Sequence, residues 1–112
     1  MIVDDDPNLL RVFSRMLGSK GIRVRCAQNT AEALNCLAWA PKAILLDLVL
    51  GNENGWETLR LMREQTDIPI LVMSGSRVDA EVERDAAAMG AQGALAKPFT
   101  YEELAAALAK LG

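Results

Sequence analysis

Six polar residues stand where short apolar runs stop. Asp47 closes the run Ala43 to Leu46, and Asp4, Asp5 and Asp6 follow Met1 to Val3. Ser74 follows Pro69 to Met73, and Lys97 follows Gly93 to Ala96, immediately before Pro98. Carboxylates gathered in one pocket repel one another and hold their protons more tightly, unless a cation neutralises them. Mg²⁺ suits such a group, because it binds through one or two carboxylates, retained waters and phosphate oxygens. A serine hydroxyl and a lysine ammonium add donors for phosphoryl oxygens. In that setting an aspartate is a nucleophile that can become an aspartyl phosphate. Phosphoryl transfer asks the protein for little beyond positioning and charge neutralisation. Asp6, directly before Pro7, reads instead as a helix cap with proline at the first helical position.

This chemistry requires four loops to meet at one edge of the fold. The apolar periodicity predicts strands at Met1–Asp4, Ile22–Cys26, Ala43–Asp47, Pro69–Met73 and Gly93–Ala96. Each strand is followed by a helix. The first carries Leu9, Val12, Phe13, Met16 and Leu17 on one face and closes at Gly18 to Gly21. The second opens at Asn29 with Glu32, buries Leu34, Leu37 and Ala38, and ends at Pro41. Trp56, Leu59 and Met62 line the third. Val78, Val82, Ala86 and Met89 form one stripe of the fourth, with Gly90 as its stop. Thr100 and Glu103 form a capping box for the fifth, which carries Leu104, Leu108 and Leu111.

Five βα units predict an α/β fold of one domain, residues 1–112. Its five-stranded parallel sheet is doubly wound, with five helices in right-handed crossovers. The flavodoxin-like order 2-1-3-4-5 places the ligand crevice beyond the carboxyl ends of the strands. In that order Asp4, Asp5 and Asp47 converge at the switch point, and Ser74 and Lys97 close the other side. The second strand, at the edge, contributes nothing to the crevice. No glycine-rich nucleotide motif follows the first strand.

Composition narrows the function further. The net charge is −3 and there is no block of lysine or arginine, which argues against nucleic-acid binding. No apolar run approaches the roughly 20 residues of a membrane span, and no export signal is visible, so the expected location is the cytoplasm. The chain has no histidine, which excludes histidine-based catalysis. Cys26 and Cys36 have no CxxC spacing and read as reduced, buried small hydrophobes.

Over essentially its whole length the chain resembles the response-regulator receiver domains of two-component signalling. "VDDDP", the loop after Asp47 ending in "NG", "ILVMSG" and "KPF" occur in the family's order and spacing. The resemblance implies that Asp47 accepts a phosphoryl group from a histidine kinase or phosphotransfer protein. It implies that Asp4 and Asp5 hold Mg²⁺, Asp5 more directly, with Asp47 and the backbone carbonyl of Val49 completing the shell. Ser74 would bond the phosphoryl group and move with it, Lys97 would pair with another of its oxygens, and the Lys97–Pro98 bond would be cis. The chain would act as a phosphoacceptor rather than a turnover enzyme. The surface formed by the fourth helix (Val78, Glu81, Asp85, Met89), fifth strand and fifth helix would meet a partner, an output domain or a second copy.

The sequence departs from the family pattern at particular positions. Gly51 and Asn54 stand where proline and aspartate are common, which implies a looser loop. Ala94 stands where many members carry an aromatic ring that swings inward, so no such rotor exists here. Apolar Val49 and Ser76 occupy the positions that tune access of hydrolytic water. The main alternative is an unphosphorylated pseudo-receiver serving as an interaction or dimerisation scaffold. A phosphohydrolase with an aspartyl-phosphate intermediate would want a second acid where Val49 stands.

Overall fold

In the computed structural model, residues 1–75 and 78–111 are described. The chain runs β1 (Ile2–Val3), α1 (Pro7–Gly18), β2 (Cys26–Ala27), α2 (Thr30–Cys36), β3 (Ile44–Asp47), β4 (Val49–Leu50), β5 (Glu53–Asn54), α3 (Gly55–Gln65), β6 (Ile70–Ser74), α4 (Ala80–Ala88), β7 (Gly93–Ala96) and α5 (Tyr101–Ala109). The main sheet is parallel in the order β2-β1-β3-β6-β7. With the small β4–β5 hairpin set aside, that is the order 2-1-3-4-5.

The central strands are apolar without alternation because both faces of the sheet are covered. Ile44 and Leu46 of β3, Val3 of β1 and Val72 of β6 face one core with Ala33 of α2, Leu59 and Met62 of α3 and Ala86 of α4. Their neighbours Leu45, Ile2, Leu71 and Met73 face a second core with Leu10, Phe13 and Leu17 of α1 and Leu104 of α5. In that core Phe13 and Phe99 stack with ring centroids 4.8 Å apart. Helices therefore cover both faces, and the strand ends are left to the loops.

Caps set where the helices start. Asp6 accepts the Asn8 amide at 2.9 Å with Pro7 as the first helical residue, and Asn29 accepts the Glu32 amide at 2.9 Å. Asp79 accepts the Val82 amide, and the Thr100–Glu103 capping box closes in both directions.

Several boundaries differ from the sequence reading. The second strand is Cys26–Ala27 rather than Ile22–Cys26, because β1 pairs through only Ile2 and Val3, in register with Cys26 and Ala27. Cys26 is accordingly exposed at the sheet edge rather than buried, its Sγ 3.2 Å from the Ser14 hydroxyl, while Cys36 is half-buried; both are free. On α1, Leu10 takes the buried position and Val12 points out, 57% exposed. The second helix tightens to a 3₁₀ turn over Leu37–Trp39 and stops at Ala40, in left-handed conformation with φ 56°. The α region is disfavoured before proline, and Pro41 follows directly. Ala33 is the buried residue of α2, and Leu34 and Leu37 pack at the core margin. Val78 precedes α4, and Leu111 lies beyond α5. Ser76 falls outside the described residues. Among the described residues no helix is long and apolar enough to cross a membrane.

Candidate functional site

The crossover order brings the carboxyl ends of β1 and β3 side by side, with β6 and β7 next in line. Asp4 follows β1 and is completely buried; Asp47 ends β3 and is 3% exposed. Lys97 follows β7 and reaches across the sheet end. Its Nζ donates to Asp47 Oδ2 at 2.8 Å and to Asp4 Oδ2 at 3.1 Å. The remaining oxygens take backbone donors: Asp4 Oδ1 accepts the Asp6 amide at 3.0 Å, and Asp47 Oδ1 accepts the Val49 amide at 3.0 Å. Asp5 is exposed at the rim, and carboxylate oxygens of Asp4, Asp5 and Asp47 lie within 4.8 Å of one another.

Ser74 is the last residue of β6, half-buried and in register with Ala96. Its carbonyl accepts the Lys97 amide at 2.7 Å, so the two loops are tied where their side chains are needed. Ser74 also lines an open cleft of about 510 Å³ with Leu48, Val49, Trp56 and Val82. The Lys97–Pro98 peptide is cis. Asp6 stays outside the pocket as the α1 cap, and Cys26 and Ala27 of the edge strand contribute nothing to it.

The charges do not balance. Among the described residues, two buried carboxylates and a third at the rim share one ammonium. Burial pushes the Asp4 carboxyl above its ordinary range, and the Asp47 charge pushes the same way; the Asp6 amide and Lys97 oppose without prevailing. Burial works to lower Lys97, but its hydrogen bonds to Asp47 and Asp4 outweigh that and hold it above its usual value. The ammonium is thus secured and the negative charge remains in excess. Oxygen-only donors with a surplus of carboxylate charge fit a hard divalent cation.

Two features of this site are absent from the sequence reading. The loop after Asp47 is a paired hairpin, Val49 opposite Asn54 and Leu50 opposite Glu53. Its turn has Gly51 at φ 60°, as the first central position of a type II′ turn requires. Proline cannot adopt that angle, so the glycine here closes a hairpin rather than merely loosening a loop. The Gly51–Asn52 pair was the available signal. The second is Gly55: a Cβ there would lie 2.4 Å from the Asp47 carbonyl oxygen and 2.4 Å from Leu48 Cα. Only glycine lets α3 start against the strand end that carries Asp47. Asn54 caps that helix, accepting the Trp56 amide at 2.9 Å.

The family described as the response regulator receiver domain matches residues 1–109. The chain belongs to the response regulator receiver family. It is 34% identical over 108 residues to a transcriptional regulatory protein CpxR homolog of Haemophilus influenzae, covering 95% of this chain and 46% of that protein. The chain spans about half the length of the curated relatives it matches. Among solved structures, the chemotaxis protein CheY4 of Vibrio cholerae superposes with a TM-score of 0.88 at 28% identity, covering 99% of this chain and 95% of that one. A Burkholderia pseudomallei response regulator with a phosphorylated aspartic acid, a calcium ion and citrate superposes with a TM-score of 0.82 at 35% identity, covering 96% of this chain and 64% of that one.

Proposed function

We propose that this receiver domain is a phosphorylation-driven switch whose acceptor is Asp47. The observation that carries the reading is the Asp47 carboxylate, buried at a strand end, 2.8 Å from the Lys97 ammonium and within 4.8 Å of two further carboxylates. The phosphorylated aspartic acid and calcium ion in the Burkholderia relative support the same chemistry here.

One Asp47 carboxylate oxygen attacks the phosphorus of a phosphohistidine on a kinase or phosphotransfer protein, or of a small acyl phosphate. An O–P bond forms, the bond to the donor's nitrogen or acyl oxygen breaks, and its electron pair leaves with the donor. Lys97 neutralises a phosphoryl oxygen, and the Ser74 hydroxyl bonds another. Asp4, Asp5, Asp47 and the Val49 carbonyl are the residues that would hold Mg²⁺, which offsets charge on the transferring group when bound. The protein accepts a group rather than turning over a substrate.

The added charge and acceptor oxygens draw the β6 and β7 ends toward the new group. Ser74 and Lys97 lead into α4 and α5, so the surface around α4, β7 and α5 is the output face for a partner, an output domain or a second copy. Ala94, half-buried in β7, carries no ring, so the change travels through the two loops and not through an aromatic rotor.

The test is incubation with Mg²⁺ and acetyl phosphate, read by intact mass. The wild type gains one phosphoryl group, and Asp47→Ala gains none. An unmodified wild type would overturn the reading in favour of a scaffold.

A further inference from the structure

The hairpin that follows Asp47 carries the backbone of Val49. Leu50 seats its first strand in the core at 2% exposure, while Val49 beside it is 64% exposed and both residues of the second strand, Glu53 and Asn54, are exposed. A chain of hydrogen bonds fastens that second strand to a distant helix. Glu53, on the outer strand of the hairpin, accepts both the Thr30 amide and the Thr30 hydroxyl on Oε1, each at 2.8 Å. Thr30 is the first residue of α2, where the backbone amide has no partner within the helix and the helix dipole favours an anion. The Thr30 hydroxyl also lies 2.8 Å from that of Thr58, a buried residue of α3. The Thr58 hydroxyl lies 3.3 Å from the carbonyl oxygen of Asn54, the residue opposite Val49 in the hairpin.

Counting protons gives these bonds a direction. The Glu53 carboxylate only accepts, so Thr30 spends its one hydroxyl proton there. The short Thr30–Thr58 contact must then use the proton of Thr58. The order is Thr58 to Thr30 to Glu53, and the 3.3 Å contact to Asn54 is left without a proton. These bonds hold Glu53 below its ordinary carboxyl range, the Thr30 amide foremost. Without the Glu53 acceptor the order can reverse, and the second strand of the hairpin loses its polar tie to α2, leaving Leu50 in the core as the anchor of the first.

We propose that Glu53 is a positioning residue for the acid pocket: by tying the hairpin to α2 and α3 through Thr30 and Thr58, it sets where the Val49 backbone stands relative to Asp47 and so sets the affinity for a divalent cation. This rests on the reading of Asp4, Asp5 and the Val49 carbonyl as metal ligands.

The experiment titrates the full chain with MgCl₂ alone, with no phosphodonor, and follows the backbone amide resonances of Asp5, Val49 and Gly55. Glu53→Ala weakens Mg²⁺ binding by about tenfold, the low end for outer partners of a metal site, with its thermal midpoint matching that of the control Glu64→Ala. Glu53→Gln, which keeps Oε1 as an acceptor, recovers most of the affinity. Equal affinity in wild type and Glu53→Ala would overturn the tether while leaving the metal site intact. Glu53→Gln binding as weakly as Glu53→Ala would also overturn it, because charge and not attachment would then be the cause. A wild type that binds no Mg²⁺ would remove the metal reading itself, and the proposal with it.

Discussion

The two ends of this sheet are built from the same strands and the same helices, and they have opposite characters. At the amino ends of the strands lies a groove of about 1000 Å³ whose lining includes Ile2, Leu17, Val24, Leu104 and Leu108, with Arg23 and Lys42 as its charged members. At the carboxyl ends, two to four residues along the same chains, Asp4 and Asp47 are buried against Lys97. Apolar side chains at the first end gain by leaving water. Charged side chains at the second lose hydration, and one ammonium does not repay two buried carboxylates. The contrast teaches how the two ends divide the work: the acid end costs stability, and the two apolar cores beneath the helices carry the energy that allows it.

Removing Lys97, the cation that pairs with both buried carboxylates among the described residues, is the hardest test of that contrast. Lys97→Met leaves two buried carboxylates unpaired and destabilises the metal-free protein by about 3–5 kcal/mol, with part of the loss returned by Mg²⁺; urea unfolding in EDTA and in Mg²⁺ measures both. A change of similar size at the opposite end has a different signature. Leu104→Ala, at a fully buried position, costs about 2–5 kcal/mol but leaves phosphorylation of the folded protein by acetyl phosphate unchanged in extent. Gly55→Ala forces α3 away from the Asp47 strand end, costs about 1–3 kcal/mol, and slows phosphorylation more than its stability loss explains; mass spectrometry of time points checks it.

Acidity separates the two ends more gently. The Asp4 carboxyl is raised above its ordinary value of 3.8, burial being the main cause, so the folded state holds this proton more tightly than the unfolded state. The stabilisation is therefore present below 3.8 and is lost as pH rises through the higher folded value. In metal-free buffer the stability of the wild type falls relative to Asp4→Asn as pH rises from the acid range toward neutrality, and Mg²⁺ narrows the gap; urea midpoints across pH measure it. The smallest effect belongs to the rim of the apolar groove. Ile22→Thr, at a position 37% exposed, shifts stability by no more than about 0.5 kcal/mol and leaves phosphorylation unchanged.

Much of this was legible in the residues. Asp6-Pro7, Asn29 with Glu32, and Thr100 with Glu103 marked three helix starts, because capping is a contact within a few residues. The unbroken apolar runs at 44–46 and 70–73 marked strands covered on both faces. What failed was also local in appearance and long-range in cause. Ile22 to Arg25 have strand character, but a strand needs a neighbour, and β1 offers only Ile2 and Val3. Val12 and Leu10 exchange roles because Leu10, Phe13 and Leu17 are an equally periodic stripe, and it is contact with the core over the sheet that selects it.

The order and chemistry of the strand-end residues were set by the chain itself: acids after the first and third strands, a hydroxyl after the fourth, an ammonium after the fifth. Their types and spacing follow from local pattern and turn chemistry, which a linear sequence carries in full. Only the tertiary structure decided the surplus of negative charge, the clearance that Gly55 leaves beside Asp47, and the fastening of Glu53 to Thr30. Each depends on where folded elements meet: Lys97 reaches Asp4 and Asp47 from 93 and 50 residues away, Glu53 reaches Thr30 from 23, and Gly55 closes on Asp47 only because α3 turns back against the end of β3.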